Sequence, residues 1–223
     1  MREGEREPRE LHPGGIAAAT GTPLGDAEAA MIMIHGRGDS AAGILALARV
    51  FRAAGMAFVA PEARHNVWYP QSFMAPVGLN EPWLTSALAA VGQAFEQVTA
   101  AGVPREKVVL LGFSQGACLA SEYAARNAGP YGGVVALSGG LIGDELDPAR
   151  YPGSLAGTPA FFGCSDVDPH IPELRVRESS LVYRRLGATV VERIYPNFGH
   201  DINQDEIDWV QDLLDGLLGV SKA

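Results

Sequence analysis

Short runs of unbroken apolar residues alternate along the chain with longer stretches in which apolar residues recur every three or four positions. The runs have the character of strands buried on both faces, and the longer stretches that of amphipathic helices. Residues 29–34, Ala-Ala-Met-Ile-Met-Ile, predict a strand ending at His35 and Gly36, and the alanine-rich residues 41–54 a helix closed by Gly55. Residues 56–60 give the next strand, stopped by Pro61. From 82 to 101, Leu84, Leu88, Val91, Phe95 and Val98 share one helical face, and Gly102 supplies the stop. The alternation continues with strand 107–111, helix 115–126, strands 133–138 and 158–163, helix 171–186, strand 189–195 and helix 201–218. One or two edge strands are expected between 11 and 24, interrupted by Pro13, Gly14, Gly15 and Pro23.

Strands that are apolar throughout and separated by helices imply an α/β fold, with a mostly parallel sheet covered by helices on both faces. The chain has 223 residues and no internal repeat or long linker, so residues 11–223 are expected to form a single domain. Residues 1–10, MREGEREPRE, mix acids with bases and lack the apolar core of a signal peptide, which predicts a flexible N-terminus.

Composition narrows the function. A net charge of −9 argues against nucleic acid as a partner, because a phosphate backbone calls for a positive footprint. No apolar run approaches the roughly 18 residues of a spanning helix, so membrane insertion is not expected. The two cysteines, Cys118 and Cys164, cannot build a disulfide framework and fit a reducing cytoplasm. The oligomeric state is not legible.

The segment Gly112-Phe113-Ser114-Gln115-Gly116 stands between a predicted strand and a predicted helix, where a G-x-S-x-G turn presents a serine nucleophile. A serine needs a base and the base an orienting acid, which in this class of sheet follow in the order serine, acid, histidine. Of the histidines after Ser114, His200 lies on the loop after strand 189–195, at the same sheet edge as Ser114. His170 fits a helix start or the rim of a site. For the acid, Asp166 and Asp168 directly follow a strand, whereas Asp144 and Asp147 suit solvated loop positions. Asp168 is chosen because Pro169 holds it extended, which leaves Asp166 to cap a turn or orient the loop.

A second constellation, His35-Gly36-Arg37-Gly38-Asp39, follows the strand 29–34. As part of a hydrolase it presents the Arg37 backbone N–H to the site, a second oxyanion donor beside that of Gln115. The Arg37 guanidinium is expected in solvent, with a direct role in substrate binding as the alternative. Read by itself, Gly36-x-Gly38-x-x-Ala41 with Glu62 near the end of the next strand also matches a dinucleotide fingerprint, so a nucleotide-binding oxidoreductase stands as one competing function. A non-catalytic small-molecule binder is the other. The long connection 61–76 carries Trp68, Tyr69, Phe73 and Met74, candidates with His170 for the wall of a substrate pocket; the alternative is that Trp68, Tyr69 and Phe73 pack over the sheet edge as a satellite core. No histidines or acids show metal-ligand spacing, and neither metal nor cofactor is expected.

Together, His35-Gly36-Arg37-Gly38-Asp39, Gly112-Phe113-Ser114-Gln115-Gly116, Asp168-Pro169-His170-Ile171-Pro172 and Gly199-His200 resemble the phospholipase/carboxylesterase branch of the α/β-hydrolases, which includes acyl-protein thioesterases. The resemblance implies a serine esterase of α/β-hydrolase fold without a large cap domain, with Ser114, Asp168 and His200 as its triad and backbone donors at Arg37 and Gln115. It also implies a small-molecule ester as substrate, with thioesters and lysophospholipids in the wider range. Arg37 stands where the thioesterases carry leucine. Dienelactone hydrolases, similar in size, carry cysteine in place of Ser114.

Overall fold

Each uninterrupted apolar run forms a strand in the computed structural model, which describes residues 11–220. The strands are β1 (Ala18–Gly21), β2 (Ala29–Ile34), β3 (Met56–Ala60), β4 (Val108–Phe113), β5 (Gly133–Leu137), β6 (Pro159–Ser165) and β7 (Thr189–Tyr195). They build one seven-stranded sheet in the order β1-β3-β2-β4-β5-β6-β7. Every pairing is parallel except that of β1 with β3.

All residues of β2 are buried. Because side chains alternate across a strand, Ala30, Ile32 and Ile34 enter one core layer and Ala29, Met31 and Met33 the other. The first layer is covered by α2 (Trp83–Ala100), α3 (Gln115–Arg126) and α4 (Glu173–Arg185). The second lies beneath α1 (Ala41–Leu45) and α5 (Gln204–Leu218). This is the two-faced α/β-hydrolase architecture that the apolar runs and the motifs imply. No described helix is long and apolar enough to cross a membrane.

Two predicted boundaries change for physical reasons. The helix expected over 41–54 is α-helical only for Ala41–Leu45 and continues as a 3-10 turn over Ala46–Val50. Beyond it, Gln211 on α5 bonds both main-chain groups of Arg52, accepting its N–H at 2.9 Å and donating to its carbonyl at 2.9 Å. That pairing holds the chain out of the helix. The last helix begins at Gln204 rather than at 201, because Asn203 and Glu206 form a reciprocal capping box there. The N-terminal stretch yields the single edge strand β1, and the flexible segment expected over 1–10 lies outside the described residues.

Since β2, β4, β6 and β7 are parallel neighbours or near neighbours, the loops leaving their carboxyl ends gather along one edge of the sheet. Those loops carry residues 35–40, Ser114, residues 166–172 and residues 196–203.

Candidate active site

Ser114 joins β4 directly to α3 and takes φ 56° and ψ −121°, a left-handed conformation that a side-chain-bearing residue holds only under constraint. The constraint is steric. A Cβ on Gly112 would lie 2.2 Å from the carbonyl oxygen of Gly116, and one on Gly116 would lie 2.1 Å from that of Ile34. Only glycine fits at either position, so the elbow packs directly against the end of β2. As the first residue of α3, Gln115 has a main-chain N–H without an acceptor in the helix. The Arg37 N–H likewise finds no acceptor among the described residues.

The loops after β6 and β7 bring Asp168 and His200 to this turn. Asp168 Oδ1 accepts the N–H groups of His170 at 2.8 Å and Ile171 at 3.0 Å. Burial alone would raise the carboxyl pKa, but the bond from His200 and these two N–H groups outweigh it and hold Asp168 below the usual carboxylate range. As an ionised carboxylate it can only accept, so the proton of His200 sits on Nδ1, which donates to Asp168 Oδ2 at 2.7 Å. Nε2 is left as an acceptor, and the Ser114 hydroxyl donates to it at 2.9 Å. The three residues thus form one hydrogen-bonded line across 86 positions of sequence between serine and histidine, and 32 between histidine and acid.

Ser165, for which the sequence offers no signal beyond a strand end, ties the two loops together. Its buried hydroxyl oxygen accepts N–H groups from Val167 at 3.2 Å, Phe198 at 3.1 Å and Gly199 at 3.0 Å. Asp166, the rival candidate for the acid, accepts the Asn197 N–H at 2.7 Å and so anchors the histidine loop. The ring of Phe113 lies 5.0 Å from that of His200, and the ring of His170 meets it edge-on at 4.9 Å.

Beside Ser114 opens a cavity of about 580 Å³, whose wall includes Arg37, Gln115, His200, Tyr69, Phe73 and His170. Tyr69 and Phe73 serve both roles weighed for them, since each also belongs to the buried core. The other two residues proposed for the pocket lie elsewhere. Trp68 is wholly buried, its ring N–H donating to the His35 carbonyl at 2.9 Å, and Met74 packs on the core. Arg37 is exposed, as expected, and its guanidinium also donates to the carbonyls of Tyr69 at 2.8 Å and Gln71 at 3.2 Å. Those two bonds could not be read from the sequence, because they depend on how the 61–76 segment folds back over the β2 loop. Cys118 also borders the cavity, but burial pushes its thiol up to about 12, and Cys164 beside Asp168 is raised by the same cause to about 12. Both remain protonated and poorly nucleophilic.

The model of the phospholipase/carboxylesterase family matches residues 17–218. The chain belongs to the phospholipase/carboxylesterase family. A family structure from Dyadobacter fermentans, described as a phospholipase/carboxylesterase, is 45% identical, covers 92% of this chain and 97% of its own, and superposes with a TM-score of 0.88. Acyl-protein thioesterase 1 of Debaryomyces hansenii is 31% identical over 124 residues, which is 55% of this chain and 53% of the relative. Its namesake from Yarrowia lipolytica is 30% identical over 157 residues, 63% of this chain and 69% of the relative. The chain spans about half the length of the first curated relatives it matches, 53%, 52% and 50%.

Proposed function

We propose that this phospholipase/carboxylesterase family member is a serine carboxylesterase that hydrolyses small carboxylic esters through an acyl-enzyme on Ser114. The observation that carries the proposal is the continuous line Ser114 Oγ–H to His200 Nε2 and His200 Nδ1–H to Asp168 Oδ2, opening on the cavity. His200 takes the serine proton as Oγ attacks the ester carbonyl, and Asp168 stabilises the imidazolium that results. The main-chain N–H groups of Arg37 and Gln115 receive the negative charge developing on the carbonyl oxygen. Proton transfer from His200 expels the alcohol, and water activated by the same imidazole releases the acid.

Thioesters fall within the same chemistry, since a thiolate leaves more readily than an alkoxide, and the names of the thioesterase relatives agree with that range. Lysophospholipids belong to the wider substrate range, in keeping with the name of the phospholipase/carboxylesterase family. A cytoplasmic setting fits two buried free thiols. The competing functions use less of the site: a passive binder has no need of the hydrogen-bonded line, and a dinucleotide site would leave Ser114, Asp168 and His200 without a task.

The test is hydrolysis of p-nitrophenyl esters of increasing chain length, together with labelling by a fluorophosphonate. Ser114→Ala is expected to abolish the label and lower turnover by roughly 10³-fold or more, with the circular dichroism spectrum unchanged. A variant that kept a tenth of wild-type turnover would remove Ser114 from the role of nucleophile.

A further inference from the structure

The two residues whose main-chain N–H groups border Ser114 also send their side chains to one shared acceptor. Arg37 Nη2 donates to the Tyr69 carbonyl at 2.8 Å, and Gln115 Nε2 donates to the same oxygen at 2.8 Å. Gln115 Oε1 in turn accepts the Trp68 N–H at 3.0 Å, so its amide brackets the two residues, bonding the N–H of the first and the carbonyl of the second. Gln115, Trp68 and Tyr69 are buried, which protects the two Gln115 bonds from exchange with water, while the Arg37 bond is part-buried. Tyr69 lies 32 positions from Arg37 and 46 from Gln115, so a third segment holds the two donor segments together.

The loop bearing Arg37 has two short-range bonds of its own, from the Asp39 N–H to the Gly36 carbonyl at 3.2 Å and between His35 Nδ1 and the same oxygen at 2.8 Å, and neither fixes Arg37 directly. Gly38 has φ 82° and no atom within 4 Å of the place where a Cβ would stand. The 61–76 segment adds further ties, by Gly38 N–H to the Asn66 carbonyl at 2.7 Å, Asn66 Nδ2 to the Asp39 carbonyl at 2.6 Å and Arg37 to Tyr69. The 61–76 segment is itself pinned by buried Asn80, which accepts the Gln71 N–H at 2.8 Å and donates to the Ser72 carbonyl at 3.0 Å. An oxyanion donor acts only when its position is set before the charge develops, and a misplacement of about 1 Å costs on the order of 10²-fold in rate.

We infer that the Tyr69 carbonyl is the common anchor of the oxyanion hole, with the side chains of Arg37 and Gln115 acting as positioning groups that set the separation of their own main-chain N–H donors. The inference rests on the proposed esterase chemistry and goes beyond it. Arg37 enters through its guanidinium as well as its backbone, without touching substrate, and the segment walling the cavity is coupled to the reacting atoms through one carbonyl.

The test uses Arg37→Met and Gln115→Leu, which keep both main-chain donors and remove only the side-chain bonds. For each, kcat and KM on a p-nitrophenyl ester are measured together with the inhibition constant of a trifluoromethyl ketone, which Ser114 attacks to form an anionic tetrahedral adduct. Each variant is expected to lose about tenfold or more in kcat, with ketone affinity falling in parallel. The double variant should lose less than the product of the two single losses, because both act on one anchor. Arg37→Lys, which retains a donor for the carbonyls, should keep more kcat than Arg37→Met and serves if Gln115→Leu fails to fold. The anchor is overturned if both single variants stay within twofold of wild-type kcat, if the losses fall on KM with ketone affinity unchanged, or if lysine does no better than methionine. A wild type without Ser114-dependent turnover sinks the esterase chemistry and the anchor together, whereas active wild type with unaffected variants sinks the anchor alone.

Discussion

The nucleophile elbow and the loops that carry His200 and Asp168 meet at one hydrogen-bonded line, yet they are positioned by different physics. The elbow is local: a strand, a left-handed serine and a helix, with Gly112 and Gly116 removing the side chains that would collide with backbone 2.2 and 2.1 Å away. Its geometry is set by excluded volume. The acid and base loops have no such steric mould. They are stapled to each other by the Ser165 hydroxyl and the Asp166 carboxylate, and their far end is fixed by the capping box that starts α5. One half of the site should therefore fail by clash and the other by loss of hydrogen bonds.

The sharpest contrast lies within the second region. Asp168→Asn is expected to lower kcat by roughly 10⁴-fold, as in the serine-protease precedent, because an amide no longer fixes the imidazole tautomer or stabilises the imidazolium. Asp166→Asn keeps an oxygen to accept the Asn197 N–H and should cost far less. A larger loss of turnover at Asp166 than at Asp168 would reassign the acid.

In the elbow, Gly116→Ala should destabilise the fold by about 3 kcal/mol or prevent folding, since its methyl group meets the fixed carbonyl of Ile34. Gly199→Ala in the histidine loop has open space around it and only its φ of 89° to overcome, a strain of about 1 kcal/mol. Denaturant midpoints for the two variants measure the difference. Equal losses would mean that packing at the elbow is not tighter than at the loop.

The histidine loop should also carry a pH signature that the elbow lacks. Glu206, at the N-terminus of α5, is buried and so pushed up to about 7 from its ordinary 4.5, despite the Asn203 N–H it accepts. Between those values the folded protein holds a proton that the unfolded chain releases. Its contribution to stability is therefore full below pH 4.5 and lost as pH rises through 7. Glu206→Gln preserves an acceptor for the capping box and removes the charge. It should raise the melting temperature at pH 8, by an amount reflecting about 3 kcal/mol, and leave it nearly unchanged near pH 4. A gain of equal size at both pH values would mean that charge burial is not the cause.

A smaller effect than that of Glu206→Gln is expected of Ser165→Ala. It strips one acceptor from the N–H groups of Val167, Phe198 and Gly199. A loss of about 1–2 kcal/mol in stability and about tenfold in kcat is anticipated, because both loops loosen while every reacting group remains. Full turnover in this variant would show that the two loops hold their register without the staple.

The division between those regions matches what the chain's order of residues could reveal. The strands and helices were legible because burial on both faces of a parallel sheet demands unbroken apolar runs, and the covering helices demand a recurring apolar stripe. The elbow was legible because its strand, its glycines and its serine are contiguous, so the steric requirement is written in neighbouring letters. The choice of Asp168 over Asp166 followed from Pro169, and the structure places Asp168 against His200. What the 61–76 segment does was not legible. Trp68 points into the core and Tyr69 toward the cavity, and the Arg37 guanidinium turns back on a carbonyl 32 positions away. A backbone carbonyl has no letter of its own, and a serine such as Ser165 reads the same whether it caps a turn or joins two loops. Local sterics and hydrophobic period were therefore determined by the sequence alone. The hydrogen bonds between distant segments were decided only when the tertiary fold brought their donors and acceptors to one edge of the sheet, because their partners are fixed by position in space rather than by spacing along the chain.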